Sequence, residues 1–428
     1  TEIYTLSLHD ALPISGCDTL SLREEDAYAI VCMGHIQTLS LNGGRGYGAR
    51  LSKIPSSIKH LAHLTYLDLI NLDLPEIPVE FLQCTELFQL NLYGNRLRHW
   101  GEEFAILNKL RVLVLENNPL TYIHPYQNHT VLLGLYAAHT PIDAENIHKI
   151  LASPRLYGLE LSYISKVRDV IPDITFDEIK GSQIRELYFE GIGLELLGCL
   201  ATLPRLSSII VNQNNLHDEA LSIPLLQKLI NCKIAHNHIT HLPAIHYPKL
   251  EFIEVSHNPI EHIEKMLPPE QFPRLCGLGG CGLQLTEIPT TLRRFPNLQG
   301  LFLNQNHITS IPPWLFESPR LIMLWLATNQ LRDDSFPEAS HDLPLKEIDL
   351  RFNQLTRPPQ FLSRCPEITH CNTFGNPFSA AEQEKGARFH YWYDIEHEKA
   401  SRDEEWTFHS QDVPYYLTTT SQAFLDTL

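Results

Sequence analysis

The 428-residue sequence lacks both the long apolar runs and the surplus of basic residues that mark two large classes of protein. No run of about 18 apolar residues occurs, so the sequence predicts no membrane-spanning helix. It contains 33 Lys and Arg against 50 Asp and Glu, a formal net charge of −17. Nucleic-acid-binding proteins neutralise phosphates with clustered Lys and Arg, so this balance disfavours such a partner and favours a protein or peptide with a basic and apolar surface.

The sequence also lacks the motifs that carry the common chemistries. The glycine-rich segment GLGGCGL at 277–283 is not followed by the Gly-Lys-Ser/Thr of a phosphate-binding loop. The 22 histidines are scattered, and no nucleophile-turn motif marks a Ser-His-Asp or Cys-His set. We therefore expect a protein that is not an enzyme and that has no cofactor and no metal site.

The first fifteen residues, TEIYTLSLHDALPIS, look like a translated sequencing adapter that runs into the gene near Gly16. On this interpretation residues 1–15 are an artefact and the true N-terminus is missing. A signal peptide or an upstream domain would then be invisible in this sequence.

A short internal period is the main feature that the sequence does contain. The pattern L-x-x-L-x-L-x-x-N-x-L recurs, mostly every 22 to 24 residues, and nine of fourteen copies have Asn at the ninth position. The copies begin at Leu64, Leu87, Leu110, Leu132, Leu156, Ile184, Leu206, Leu229, Leu250, Leu275, Leu298, Leu321, Leu345 and Ile368. A weaker copy begins at Ile36, with Gly44 in place of Asn, and we interpret it as an incomplete first turn.

Segments such as LFQLNLYGNRL from Leu87 and LQGLFLNQNHI from Leu298 resemble the leucine-rich-repeat family across residues 36–378. The I-P-x-x-[LIF] pattern between the repeats, as at Ile311-Pro312, is similar to the intracellular Ras-suppressor-like subclass, whose repeats have about 23 residues. The resemblance implies an α/β fold: a curved solenoid with a parallel sheet on its concave side and irregular or short helical segments on its convex side.

Each part of the repeat has a physical role. The fourth and sixth residues, such as Leu90 and Leu92, lie on one side of a short strand and should face the core. The ninth-position Asn, such as Asn95, should satisfy backbone groups where the chain turns inward. The second, third, fifth, seventh and eighth residues then face outward.

The two ends should carry caps, because an open solenoid exposes apolar side chains. Ser21-x-x-Glu24 and Ser379-x-x-Glu382 are typical helix starts. We predict an N-terminal capping helix within 16–35, and a helical cap with an acidic, aromatic tail over 379–428. The spacing widens to 28 residues between Leu156 and Ile184. We expect the extra segment to bulge from the convex side or an edge.

The nine cysteines include four at positions expected to be buried: Cys84, Cys232, Cys365 and Cys371. Secreted members of the family commonly carry cysteine clusters in their caps, and this sequence has none. Together with the odd count, this pattern favours a reducing compartment and a cytoplasmic location.

Two clusters of outward side chains are candidate binding residues, because aromatic residues are enriched at binding hot spots. The first alternates tyrosine with glutamate and comprises Tyr136, Tyr157, Glu160, Glu186, Tyr188 and Glu190. The second is expected to form an apolar platform and comprises Phe302, Met323 and Trp325. Cross-strand packing that stabilises the sheet is the alternative role for these side chains.

These features favour a protein–protein interaction module, a scaffold or regulator that binds a partner across its concave face. Two alternatives stay open. One is the recognition part of a larger enzyme, such as a bacterial effector with a ligase or kinase domain. The other is a surface or secreted adhesin, which predicts a signal peptide.

Overall fold

The computed structural model describes residues 4–7, 19–20, 37–42, 50–51, 60–77, 79–124, 132–153, 155–173, 175–221 and 223–378. The chain divides into two compact units, Thr1–Leu206 and Ser207–Leu428.

In the first unit, each described repeat contributes one short strand, because its apolar fourth residue packs inward between two outward-facing neighbours. The parallel strands of this sheet, in order, are β1 (Tyr4–Ser7), β3 (Thr38–Asn42), β5 (Tyr66–Ile70), β6 (Gln89–Asn91), β8 (Val112–Val114), β10 (Gly134–Tyr136), β11 (Gly158–Glu160) and β12 (Glu186–Tyr188). Two smaller parallel pairs are β2 (Thr19–Leu20) with β4 (Arg50–Leu51), and β7 (His99–Trp100) with β9 (Tyr122–Ile123).

The second unit repeats this arrangement. Its parallel strands are β13 (Ser208–Ile210), β14 (Asn231–Lys233), β15 (Phe252–Glu254), β16 (Gly277–Gly279), β17 (Gly300–Phe302), β18 (Met323–Trp325), β19 (Glu347–Asp349) and β20 (His370–Asn372). Equivalent repeat positions pair across neighbouring strands, as Leu301 pairs with Leu324. The third and fifth residues of the repeats therefore share one side of each sheet, which we call the sheet face.

The segments between the strands are short helices and turns. The described α-helices are α1 (Ala144–Leu151), α2 (Lys166–Val170), α3 (Phe176–Ile179), α4 (Ile223–Lys228), α5 (Ile263–Met266) and α6 (Pro313–Phe316). The described 3-10 helices are Val79–Gln83, Glu102–Ile106, Ile171–Asp173, Gly198–Thr202, Asp218–Ala220, Pro269–Gln271, Thr290–Arg294 and Gln360–Arg364. None of the helices in the described part of the chain is long and apolar enough to cross a membrane.

The wide spacing before Ile184 is filled by short helices. This segment forms α2, a 3-10 turn and α3. Val167, Val170 and Ile179 are buried there. The extra residues thus extend the core of the first unit.

The fourth and sixth residues of the repeats form the cores of the two units, as the repeat pattern predicts. Leu90 and Leu92 are buried in the first unit, and Leu301 and Leu303 are buried in the second. Cys84, Cys232, Cys365 and Cys371 are also buried, which confirms their interpretation as small core residues.

The ninth-position asparagines bind backbone groups of two neighbouring repeats, which confirms their structural role. The Oδ1 atom of Asn306 accepts hydrogen bonds from the backbone N–H groups of Leu283 and Leu285, both at 3.0 Å. Its Nδ2 atom donates to the carbonyl oxygens of Gly280 at 2.9 Å and Leu303 at 3.0 Å. The same Nδ2 atom also donates to the carbonyl oxygen of Asn304 at 3.2 Å, so one side chain binds five backbone groups.

The eighth residue of the repeat adopts a left-handed backbone conformation in all fourteen repeats, with φ between 51° and 74°. These residues are Asn71, Gly94, Asn117, His139, Tyr163, Gly191, Gln213, His236, His257, Gly282, Gln305, Thr328, Phe352 and Gly375. The chain leaves the strand at this point, and left-handed geometry makes the turn. The repeat pattern treated this position only as outward-facing, so its backbone role was missed.

Most of the predicted end regions lie outside the described residues. Residues 4–7 of the adapter-like segment form β1, which pairs with β3. The weaker repeat copy that begins at Ile36 contributes the five-residue strand β3. Within 16–35 only Thr19–Leu20 are described, and the predicted helix there lies outside the described residues. The predicted cap and tail over 379–428 also lie outside them.

Candidate functional site

The structure places all six residues of the first predicted cluster on or beside three neighbouring strands of the first unit. Tyr136 ends β10, Glu160 ends β11, and Glu186 and Tyr188 begin and end β12. Tyr157 immediately precedes β11. With Glu190, which follows β12 by two residues, they form a surface that we call the tyrosine–glutamate face.

The Tyr136 ring of this face lies against a floor of two glycines, which have no side chains. Gly134 and Gly158 pair in register on β10 and β11. A Cβ atom added at Gly134 would stand 3.0 Å from the Tyr136 ring, and one added at Gly158 would stand 3.3 Å from the Tyr136 hydroxyl. The rings of Tyr136 and Tyr188 are 6.3 Å apart. Glycine at the third position thus leaves room for the Tyr136 ring over the sheet, and both Tyr136 and Tyr188 are half-buried.

Two glutamates of the face are buried, and each accepts a hydrogen bond from a tyrosine hydroxyl. Glu186 is buried and accepts a hydrogen bond of 3.0 Å from the Tyr188 hydroxyl. Glu190 is also buried and accepts one of 2.7 Å from the hydroxyl of Tyr163. Burial, followed by the charge of Glu186, raises the pKa of Tyr188. These two phenols therefore remain neutral donors.

Glu160 lies in the most acidic part of the face. Burial first, then the charge of Glu116 and to a lesser extent that of Glu190, raises the pKa of Glu160 to about 8, while a hydrogen bond from Ser162 opposes the shift. Burial also raises the pKa of Glu116. At neutral pH the Glu160 carboxyl is therefore mostly protonated, and a cation placed beside it would favour its ionised form.

Glu116 and Tyr163 were not among the predicted site residues, although the sequence held a signal for both. They occupy the seventh and eighth positions of their repeats, which were already assigned outward. The Tyr163 ring stacks on His139, with ring centroids 4.2 Å apart, and both residues are at the left-handed eighth position. Selecting every glutamate and tyrosine at the seventh and eighth positions of the repeats would have found them.

Arginines lie on aromatic rings at the edge where the strands of the first unit begin. The Arg185 guanidinium is 5.1 Å from the centroid of the Tyr157 ring. The Arg111 guanidinium is 5.4 Å from that of Phe88. Both pairs occupy the second repeat position, so Tyr157 lies on the predicted face next to a positive charge.

The second predicted cluster lies on the sheet face of the second unit, but it is less open than expected. Phe302 and Met323 are 4% and 3% exposed, and they pack with Phe252 and Cys281. Trp325 is partly buried, its ring edge-on to Phe302 at 4.8 Å. The expectation of an open three-residue platform is therefore corrected: Trp325 is the accessible member, and Phe302 and Met323 support it.

The described residues contain no group of three or more His, Cys, Asp and Glu side chains that could hold a metal ion. Burial raises the pKa of the described cysteines, for example that of Cys232 to about 12, so their thiols are not activated nucleophiles.

Comparison with known proteins agrees with this architecture. The family model "Leucine Rich repeats (2 copies)" matches residues 296–338. A solved leucine-rich-repeat protein from Leptospira interrogans has 23% sequence identity and a TM-score of 0.52, with 84% of this chain and 89% of that chain covered. The chain has the leucine-rich-repeat fold. Its parallel sheets and short helical connections form a leucine-rich-repeat solenoid, a fold typical of scaffolds for protein interaction.

Two curated proteins are similar to this leucine-rich-repeat chain. An adenylate cyclase of Schizosaccharomyces pombe is 23% identical over 375 residues, which are 76% of this chain and 21% of that protein. Keratocan of Gallus gallus is 28% identical over 172 residues, which are 38% of this chain and 46% of that protein. The chain thus spans about a fifth of the first relative and less than half of the second.

Proposed function

We propose that this leucine-rich-repeat protein is a scaffold or regulator that binds a basic segment of a partner protein on the tyrosine–glutamate face. The observation that carries the proposal is the setting of Glu160 between the charges of Glu116 and Glu190. The charges of Glu116 and Glu190 disfavour ionisation of Glu160, and a lysine or arginine side chain bound beside Glu160 would favour its ionised form.

The tyrosines support the same partner chemistry. Tyr136, Tyr157 and Tyr188 are half-buried and offer ring surface beside the carboxyl groups. Tyrosine rings contact apolar groups, stack on guanidinium and lose little entropy on binding. Arginine therefore suits this face better than lysine, because its planar group can both stack and pair with a carboxylate. In the second unit, Trp325 offers a further apolar contact.

The charge and the cysteines support two further parts of the proposal. With a net charge of −17 the chain should repel nucleic acid, so a protein partner is favoured. The cysteines in the described part of the chain are free thiols, namely Cys84, Cys232, Cys276, Cys281, Cys365 and Cys371. Cysteines that form no disulfide are compatible with a reducing compartment, and we propose a cytoplasmic location.

Binding of a labelled peptide, Ac-LRRLRRL-NH2, tests the proposal by fluorescence anisotropy. We expect Glu160→Gln to weaken binding by about tenfold. The substitution removes a carboxyl group whose ionised form pairs with the cation of the bound peptide. The matched control is Glu102→Gln, since Glu102 is exposed in a 3-10 helix away from the sheet face. Equal affinities of the two variants would show that the peptide binds elsewhere.

An unbiased search for the natural partner uses affinity purification with the wild type and a Tyr157→Ala/Trp325→Ala double variant. Partners bound through the sheet faces should be lost from the double variant. Recovery of the same partners by both proteins would mean that these faces are not the binding surfaces.

A second candidate function is recognition within a larger enzyme. The observation that favours it is the match to an adenylate cyclase of which this chain covers 21%. Recovery of the complete open reading frame tests it, since a catalytic domain beyond either end of this chain would support the idea and its absence would refute it.

A further inference from the structure

Two repeats of the first unit carry the same pair of opposite charges at the same positions. Arg111 and Glu116 occupy the second and seventh positions of one repeat, and Arg185 and Glu190 occupy them in another. Each arginine immediately precedes its strand, β8 or β12, and each glutamate follows that strand by two residues. Both positive charges therefore lie at the edge where the strands begin, and both negative charges lie where they end.

These four residues enclose the two repeats of the first unit that have glycine at the third position. Val112 pairs with Gly134, Gly134 with Gly158, and Gly158 with Glu186, so β8 and β12 are the outer strands of four. At the usual spacing between strands, the outer pair is about 14 Å apart. An arginine and the glutamate of its repeat are separated by about 16 Å of extended chain. We call this arrangement of Arg111, Glu116, Arg185 and Glu190 the charged frame.

The two sides of the frame are held by different contacts. On the positive side, Arg111 and Arg185 lie over the rings of Phe88 and Tyr157. On the negative side, the half-buried Glu116 and the buried Glu190 flank Glu160, whose charge they disfavour. The middle of the floor between the two sides is formed by the glycine pair and the Tyr136 ring, with Glu160 and Glu186 beside it.

We infer that the charged frame binds a partner segment that runs along the strands, with an acidic group at the Arg111–Arg185 edge and a basic group at the Glu116–Glu190 edge. This inference rests on the proposed function and adds an acidic half and a fixed direction to the partner. The 16 Å span corresponds to about five extended residues between the two charges.

Charge complementarity favours a segment with an acidic end and a basic end over a uniformly basic segment. A basic segment that crosses the whole frame would place positive charge against two arginines, and such like-charge contacts oppose binding. A segment with separated charges satisfies both edges at once, while its apolar middle lies on the glycine and tyrosine floor. The same frame would disfavour the reversed orientation at both edges.

Two peptides of identical composition test the inference: Ac-EELGLGLRR-NH2, with separated charges, and Ac-ERLGLGLRE-NH2, in which each end is neutral overall. Binding is measured by isothermal titration calorimetry at low ionic strength. We expect the wild type to bind the first peptide about fivefold more tightly than the second. Equal binding of the two peptides, or no detectable binding of the first at millimolar concentration, would overturn the inference.

Charge reversal on the positive edge gives the decisive comparison. Arg111→Glu/Arg185→Glu should abolish the preference for the first peptide and tighten binding of Ac-LRRLRRL-NH2. The control with the same change in net charge is Arg98→Glu/Arg205→Glu, because both residues are exposed and outside the frame. It should keep the preference. If the reversal impairs folding, as judged by circular dichroism, Arg111→Gln/Arg185→Gln should reduce the preference in the same direction.

The outcomes separate this inference from the proposed function. If Ac-LRRLRRL-NH2 binds in a Glu160-dependent manner but the wild type does not distinguish the two mixed-charge peptides, the basic site stands and the frame is wrong. If no peptide depends on Glu160, the proposed function itself fails.

Discussion

Asn306 shows how a single side chain joins two repeats of the second unit. Its five hydrogen bonds reach the backbone of Gly280, Leu283, Leu285, Leu303 and Asn304. Asn306→Ala should lower the free energy of unfolding by at least about 3 kcal/mol, because it leaves several buried backbone groups unsatisfied. Urea denaturation measures this change. As a control, His307→Ala at the adjacent exposed residue should change it by less than about 0.5 kcal/mol.

Glu160 should make the stability of the protein depend on pH. Its pKa is about 8 in the folded protein against an ordinary value of 4.5. Between these two values the unfolded chain releases a proton that the folded protein retains, so stability falls as pH rises. Glu160→Gln has no such proton. Its stability relative to the wild type should rise across this window and level off above it, by an amount on the order of a few kcal/mol.

Unfolding of both proteins in urea at several pH values tests this prediction. Glu102→Gln serves as the control, because Glu102 is exposed in a 3-10 helix away from the sheet face. A constant difference in stability between Glu160→Gln and the wild type across the pH range would contradict the proposed environment of Glu160.

At the residue scale the sequence predicts which way a side chain faces, but not whether a neighbour covers it. Phe302 faces outward as predicted, yet it is buried. The cause lies on other strands. Gly277 leaves room for the Phe252 ring, which then meets Phe302 edge-on with centroids 6.1 Å apart. A pattern read one repeat at a time does not contain this packing between strands.

The turn that ends each strand depends on the left-handed eighth residue, and two repeats offer a reciprocal test. Gly282 has a φ of 63°, and an added Cβ would collide with the His257 ring. Thr328 has a φ of 54° although it is β-branched. Gly282→Thr should destabilise the protein by about 2 kcal/mol, whereas Thr328→Asn should stabilise it by about 0.5–1 kcal/mol, because asparagine tolerates this conformation.

Thermal unfolding of the two variants measures these opposite effects. Thr328→Val is the control for Thr328→Asn, since it keeps the β-branched strain and should give no increase in stability. A loss of stability in Thr328→Asn would mean that the Thr328 side chain makes a contribution larger than its backbone strain.

Among the elements, strands were easier to predict than connections. The strands follow from two inward residues at a spacing of two, a pattern that fourteen repeats reinforce. The segment 165–182 occurs once, so no repetition supports it. Its helices depend on Val167, Val170 and Ile179 finding space in the core of the first unit, which the segment's own sequence does not reveal.

For the whole molecule, the period in the sequence predicted the repeat architecture because stacked repeats bury what a single repeat cannot. The binding surface was less predictable. The sequence located the tyrosine–glutamate face by position, but the link between Glu116 and Glu160 arises from residues two repeats apart. This electrostatic interaction depends on the side-chain conformations, which set the distance between the two carboxyl groups. The alternation of inward and outward residues does not determine those conformations.

The net charge of −17 and the local carboxyl cluster should affect different steps of binding to Ac-LRRLRRL-NH2. Long-range attraction accelerates encounter and is screened by salt, so raising ionic strength from about 20 to about 300 mM should slow association by about tenfold. Contacts at Glu160 form after encounter and are partly shielded from solvent. Glu160→Gln should therefore mainly accelerate dissociation, with a similar salt dependence of association. Stopped-flow anisotropy separates the two rates. An effect of Glu160→Gln confined to association would mean that Glu160 contributes only to the general negative field and does not contact the bound peptide.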